Sequence, residues 1–128
     1  MAVETRVDKG LNTIVRKVTG ELSVDDIKQA FAVSLSHPDF RKNMHVIWDL
    51  GAADVGKISE DQLIEAVDYI RNSTAVRGAD YKIAIVAPKD LSFGVSRMFE
   101  GYASNLPVTI RVFRSMAEAC KWIEAEVR

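Results

Sequence analysis

The run Ile83-Ala84-Ile85-Val86-Ala87, closed by Pro88, is the most hydrophobic stretch of the chain and leaves it few folds. It is apolar on both alternating faces and too short for a helix of ordinary length, so it reads as a strand covered on both sides. Pro88 removes a backbone donor and ends it. The stretch Met44-His45-Val46-Ile47-Trp48-Asp49-Leu50 has the same character. Two doubly covered strands require helices packed on the sheet, and the rest of the chain must supply them.

Four segments carry the helical pattern. Ser23 with Asp26 has the spacing of a capping box, followed by Val24, Ile27, Phe31 and Leu35 at helical intervals until His37-Pro38 stops the first helix. Ser59 with Gln62 opens the second, whose stripe is Leu63, Val67 and Ile70 and which ends before Gly78. The third starts near Asp90 or Ser92 and carries Val95, Met98, Phe99, Tyr102 and Leu106. Ser115 with Glu118 is a third capping box, and Met116, Ala119, Cys120, Ile123 and Val127 line a fourth helix.

Strands fill the gaps. Val3, Thr5 and Val7 alternate with polar residues, Lys9 to Asn12 reads as a turn, and the run from Thr13 to Thr19 puts Ile14, Arg16 and Val18 on one side, Val15 and Lys17 on the other. These two strands predict an opening hairpin. Val108, Ile110 and Val112 alternate as the last strand. The order β-β-α-β-α-β-α-β-α predicts an α/β fold, a mixed sheet of about five strands with amphipathic helices packed on it. No repeat or linker interrupts residues 1–128, which are expected to form a single domain.

With 48% hydrophobic and 27% charged residues the chain is composed to fold compactly. A net charge of -1 provides no field for nucleic acid or an anionic membrane surface. The lone cysteine, Cys120, cannot close an internal disulfide and reads as a small core residue of a protein in a reducing compartment. Met1 to Arg6 lacks the basic start and apolar block of a signal peptide, and no apolar run approaches the roughly 20 residues of a membrane helix. A cytoplasmic location without a membrane span is expected.

Residues 51–59, Gly-Ala-Ala-Asp-Val-Gly-Lys-Ile-Ser, nearly spell a phosphate loop. Ile58 stands where a hydroxyl must hold magnesium, and Asp54 sets a negative charge where backbone N–H groups should cradle phosphate. The two histidines, His37 and His45, fall at a helix end and a strand start without a serine elbow, and no metal-ligand spacing occurs. No catalytic residue, metal or cofactor is assigned. Polar groups instead gather after the C-terminal ends of strands: Asp49 and Asp54, Lys89 and Asp90, Arg114 and Ser115. That edge is where open α/β sheets usually receive ligands and partners.

Several segments together resemble the SpoIIAA-like family of small bacterial proteins, related in fold to STAS domains. They are Val18-Thr19-Gly20-Glu21-Leu22-Ser23, Pro38-Asp39-Phe40, Val46-Ile47-Trp48-Asp49-Leu50, Ala84-Ile85-Val86-Ala87-Pro88, Arg97-Met98-Phe99-Glu100 and Val112-Phe113-Arg114-Ser115. The resemblance implies a mixed five-stranded sheet and a non-enzymatic regulatory or protein-interaction module. True antagonists of the family carry an Asp-Ser-Ser-Gly-like segment whose serine is phosphorylated. Here only Ser59 is approximately so placed, which makes Asp49, Asp54 and Ser59 the partner-binding or phosphoswitch candidates.

A second reading is binding of a small apolar or lipid-like ligand under the third helix, where Phe93, Met98, Phe99 and Tyr102 exceed what a narrow packing stripe needs. STAS-like folds also resemble CRAL-TRIO-type lipid carriers in layout. An unrecognised enzyme is the third reading. Self-association as a homodimer is expected as well. The hairpin leaves a sheet edge that Arg6, Arg16 and Lys17 blunt only partly, and Val33 and Trp122 lie off their helical stripes.

Overall fold

The computed structural model describes residues 2–125. The opening hairpin pairs β1 (Ala2–Asp8) antiparallel with β2 (Thr13–Glu21), and Asn12 at φ 52° turns the corner between them. Asp8 Oδ1 accepts from the Leu11 N–H at 3.1 Å and fixes the loop. The other strands, β3 (His45–Asp54), β4 (Lys82–Val86) and β5 (Thr109–Phe113), join in parallel in the simple order β1-β2-β3-β4-β5.

Sequential parallel strands joined by right-handed crossovers place every connecting helix on one face of the sheet. Those helices are α1 (Val24–Leu35), α2 (Glu60–Asn72) with the single turn α3 (Thr74–Arg77), and α4 (Asp90–Tyr102). Ile14, Val18, Val46, Trp48, Ile83, Ile85 and Ile110 face them and form the larger core with Phe31, Val67 and Ile70. The opposite face, Val15, Ile47, Ala84 and Val86, is covered by Ala119 and Ile123 of α5 (Met116–Glu124). β4 is buried at every position, as its unbroken apolar run requires.

Capping geometry explains where the helices begin. Ser23 and Ser59 each accept from the third helical N–H, and Asp26 and Gln62 each accept from the cap N–H in return. Ser115 caps α5 on one side only: its Oγ accepts from the Glu118 N–H at 3.2 Å and donates to the Glu118 carboxylate. Val127, expected on the fourth helix, lies outside the described residues.

Four expectations change. Residues 51–54, read as loop, continue β3 beside Thr19–Glu21, past a register shift between Lys17 and Thr19 that Gly20 accommodates at φ 82°. The first half of the phosphate-loop-like string is therefore strand, and cannot curl around a phosphate. Arg16, read as an edge charge, is completely buried, because the partner on β2's far side is β3 and Arg16 shares the helix-covered face with Ile14 and Val18. Trp122, read as off its helical stripe, is half-buried within the chain, with Phe113 packed on it at 5.5 Å between ring centroids and Lys82 Nζ donating to its carbonyl at 2.6 Å. Val33 does remain exposed. Finally, the third expected helix is α4, and Leu106 lies beyond its end although it joins the core.

Candidate functional site

Between the sheet and α1, α2 and α4 lies a cavity of about 70 Å³. Its walls are almost wholly apolar, with Phe31, Trp48, Leu50, Leu63, Ile85 and Phe99 among them and Gln62 and Ser96 the polar side chains. Each wall follows from the patterns that made the elements: alternation brings Trp48 and Leu50 to one face of β3, and helical spacing brings Leu63, Ala66 and Ile70 to one face of α2. Val55 and Ile58, in the segment between β3 and α2, close one side.

Two cavity walls, Phe31 and Trp48, also flank a buried guanidinium. The Arg16 Cζ lies 5.0 Å from each ring centroid. Its Nε, Nη1 and Nη2 are all buried without a hydrogen-bond partner among the described residues. A second guanidinium, Arg77 at the end of α3, is 1% exposed. It donates from Nη2 to the Met44 carbonyl at 2.6 Å and lies 4.1 Å over the Tyr81 ring, leaving Nε and Nη1 without partners. The Tyr81 hydroxyl is likewise buried and unpartnered.

Among the described residues, the electrostatics of this cluster are those of cations without an anion. Burial, and then the charge of Arg77, push Arg16 down to about 9, with only Tyr81 acting in the opposite direction. Burial also lowers Arg77, against the influence of Tyr81. Burial raises the Tyr81 phenol, opposed by Arg77 and Arg16. At neutral pH both arginines remain charged, and no carboxylate figures among the groups acting on them. Aromatic faces attract a desolvated cation, which offsets part of the cost of burial, but they leave its N–H groups unsatisfied.

The residues singled out in the sequence separate in space. Phe99 lines the cavity. Phe93 packs against the core, and the Arg114 guanidinium sits 4.0 Å from its ring centroid. Met98 and Tyr102 are exposed; desolvation and a hydrogen bond with Glu60 raise the Tyr102 phenol. Asp49 Oδ1 accepts from the Gly51 N–H at 3.0 Å, and Asp54 Oδ1 from the Gly56 N–H at 2.9 Å. Ser59 is exposed at the cap of α2. Asp54 and Lys89 share a separate depression of about 210 Å³ with Leu91 and Ser92. His45 Nδ1 accepts from the Lys82 N–H at 2.9 Å, and His37 Nδ1 from the Asp39 N–H at 3.0 Å.

Arg16, Arg77 and Tyr81 were not singled out from the sequence. Arg16 carried a signal, a charge set between Ile14 and Val18 on the side that a core would claim. Arg77 and Tyr81 carried none, because their burial depends on how α3 and the start of β4 meet the end of the sheet.

No family model matches the chain, and no curated protein matches it. Among solved structures it is similar to an uncharacterized protein of the DUF3478 family from Shewanella loihica, described as having a SpoIIAA-like fold. The two are 14% identical, with a TM-score of 0.60 over 95% of this chain and 92% of the other. At that identity the likeness is one of architecture, and the fold of this chain is SpoIIAA-like.

Proposed function

We propose that this protein is a non-enzymatic regulatory module that binds a small apolar molecule in the cavity beneath α1, α2 and α4. The observation carrying this reading is a cavity lined almost wholly by apolar side chains between the sheet and three helices. Interiors are normally packed to crystal-like density, so an apolar space of this size is a binding site in form. Its size limits the occupant. At roughly 10–15 Å³ for each water-sized group, 70 Å³ accommodates about five methylene-sized groups.

The regulatory part rests on position. Val55 and Ile58 lie in the segment that joins β3 to α2, Gln62 and Leu63 lie in the first turn of α2, and all four line the cavity. The outer side of that segment carries Asp54 and Ser59, the groups expected to meet a protein partner. An occupant that contacts Val55 and Ile58 is therefore in a position to bias this surface. A switch by phosphorylation of Ser59 has less support, since its hydroxyl oxygen already caps α2 and the Asp49 and Asp54 carboxylates already accept from the Gly51 and Gly56 N–H groups.

Titration with 1-hexanol, followed by thermal unfolding and backbone NMR, tests the reading. A ligand that binds only the folded state raises the midpoint as its concentration passes Kd. The expected result is a higher midpoint with shifted amide signals at Val55 to Leu63. An unchanged midpoint and unchanged signals at millimolar hexanol would remove the proposal.

A further inference from the structure

We infer that Arg16, Arg77 and Tyr81 form a buried receptor for an anionic headgroup, so that the natural ligand of the adjoining cavity is a small amphipathic carboxylate. This rests on the cavity-binding reading and adds the chemistry of the ligand's polar end.

Two features meet at one place. Five guanidinium nitrogens, Nε, Nη1 and Nη2 of Arg16 with Nε and Nη1 of Arg77, and the Tyr81 hydroxyl are buried without hydrogen-bond partners among the described residues. Buried polar atoms are nearly always satisfied, and buried cations are nearly always paired, so six such atoms in one cluster mark a missing partner. All six can donate hydrogen bonds. The group that satisfies them is an acceptor, and the two positive charges make it an anion.

The cluster also adjoins the cavity. Phe31 and Trp48 each hold their ring 5.0 Å from the Arg16 guanidinium carbon and each also line the apolar space, so a headgroup at the guanidiniums and a tail in the cavity belong to one short molecule. A carboxylate fits this setting because its planar pair of oxygens matches the guanidinium fork. It also brings a single negative charge out of water, where a phosphate dianion brings two and is harder to desolvate. The limited space favours an acyl chain of about six carbons or a comparable aromatic acid over a long-chain lipid.

Hexanoate, hexanamide, 1-hexanol and inorganic phosphate, titrated into a Trp122→Phe background, test the inference, with Trp48 as the remaining fluorophore. Hexanoate is expected to bind at least ten-fold more tightly than hexanamide or hexanol. Arg16→Met, which keeps an unbranched apolar side chain in the space, is expected to bring hexanoate down to the level of hexanamide. Far-ultraviolet circular dichroism of that variant verifies the fold, and Arg77→Met provides a second variant with the same expected loss. If hexanol and hexanamide bind but hexanoate is no tighter, the headgroup receptor is overturned and the cavity reading stands. If none of the organic ligands binds, both fall. If phosphate binds as tightly as hexanoate, the site takes a bare anion and the amphipathic ligand is overturned. An unchanged hexanoate Kd in both arginine variants overturns the assignment to these residues.

Discussion

Arg16 and Trp48 are register partners across β2 and β3, and the guanidinium carbon of one lies 5.0 Å from the ring centroid of the other. The pair places a permanent charge in the larger core, where hydrophobic residues dominate on every side.

One consequence is that the ligand-free protein is less stable than its core composition allows. Arg16→Met is expected to raise unfolding stability by about 1–3 kcal/mol, since replacing buried charge with packed apolar atoms of similar volume is commonly stabilising. Urea denaturation measures it. A loss of stability in the variant would mean that the aromatic faces compensate the charge fully.

The same gain depends on pH. Arg16 holds its proton less tightly in the fold, at about 9, than it does in the unfolded chain. Above about pH 9 the unfolded chain binds more protons than the folded one, so the wild-type protein gains stability as pH rises from there. The advantage of Arg16→Met is therefore full below about pH 9. It is expected to shrink by up to about 1 kcal/mol per pH unit toward pH 11. Arg77 and Tyr81 are the charged or titratable groups acting on Arg16, and both are present in the two proteins compared. Urea titrations at pH 8, 9, 10 and 11 test the trend, and a constant difference would contradict it.

Gly78 is the backbone position least able to accept a side chain. It holds φ at 104° and ψ at 172°, a region essentially reserved for glycine, and a Cβ there would stand 2.0 Å from Asn43 Oδ1. That oxygen accepts from the Ala79 and Asp80 N–H groups at 3.0 and 3.1 Å. Gly78→Ala is expected to cost roughly 3 kcal/mol or more, combining backbone strain with displacement of Asn43. A cost below about 1 kcal/mol in urea denaturation would show that the loop relaxes freely.

Ser59 provides a milder case. Ser59→Ala removes the acceptor for the Gln62 N–H and is expected to cost about 1 kcal/mol, whereas Ser59→Asp retains a cap and should leave stability within about 0.5 kcal/mol of wild type. Thermal unfolding of the two variants separates them.

Filling the cavity tests it from inside. Ala66 of α2 is 2% exposed and lines the space, so Ala66→Leu projects a larger side chain into it. Hexanol binding is expected to fall at least ten-fold. Stability should change by less than about 1.5 kcal/mol, because empty volume absorbs the added atoms. Calorimetric titration that returns an unaltered hexanol affinity would place the ligand elsewhere.

The framework was legible because it is written in periodicities. Helical stripes with Ser23, Ser59 and Ser115 ahead of them fixed three helix starts, and the two doubly apolar runs fixed the covered strands. The site was less legible because it depends on contacts between distant segments. Phe99 was visible as part of an aromatic group, yet Met98, one position away on the helix, faces off its side, and Tyr102, the last residue of α4, is exposed. Arg77 and Tyr81 come to the arginine of β2 from 61 and 65 positions along the chain, a proximity that spacing cannot encode. The β3 extension through Gly51 and Ala52 was hidden by residue types that ordinarily mark a turn.

Because every crossover helix falls on one side of the sheet, α5 is the one described helix that shields Val15, Ile47, Ala84 and Val86. During synthesis all five strands leave the ribosome before that helix does. Until Met116 to Glu124 have emerged, the nascent chain carries an uncovered apolar sheet face, the kind of surface that invites intermolecular association. A message truncated just after β5 would accordingly yield an aggregating product although every strand is intact, and the last helix is as necessary for escape from the ribosome in soluble form as any strand of the core.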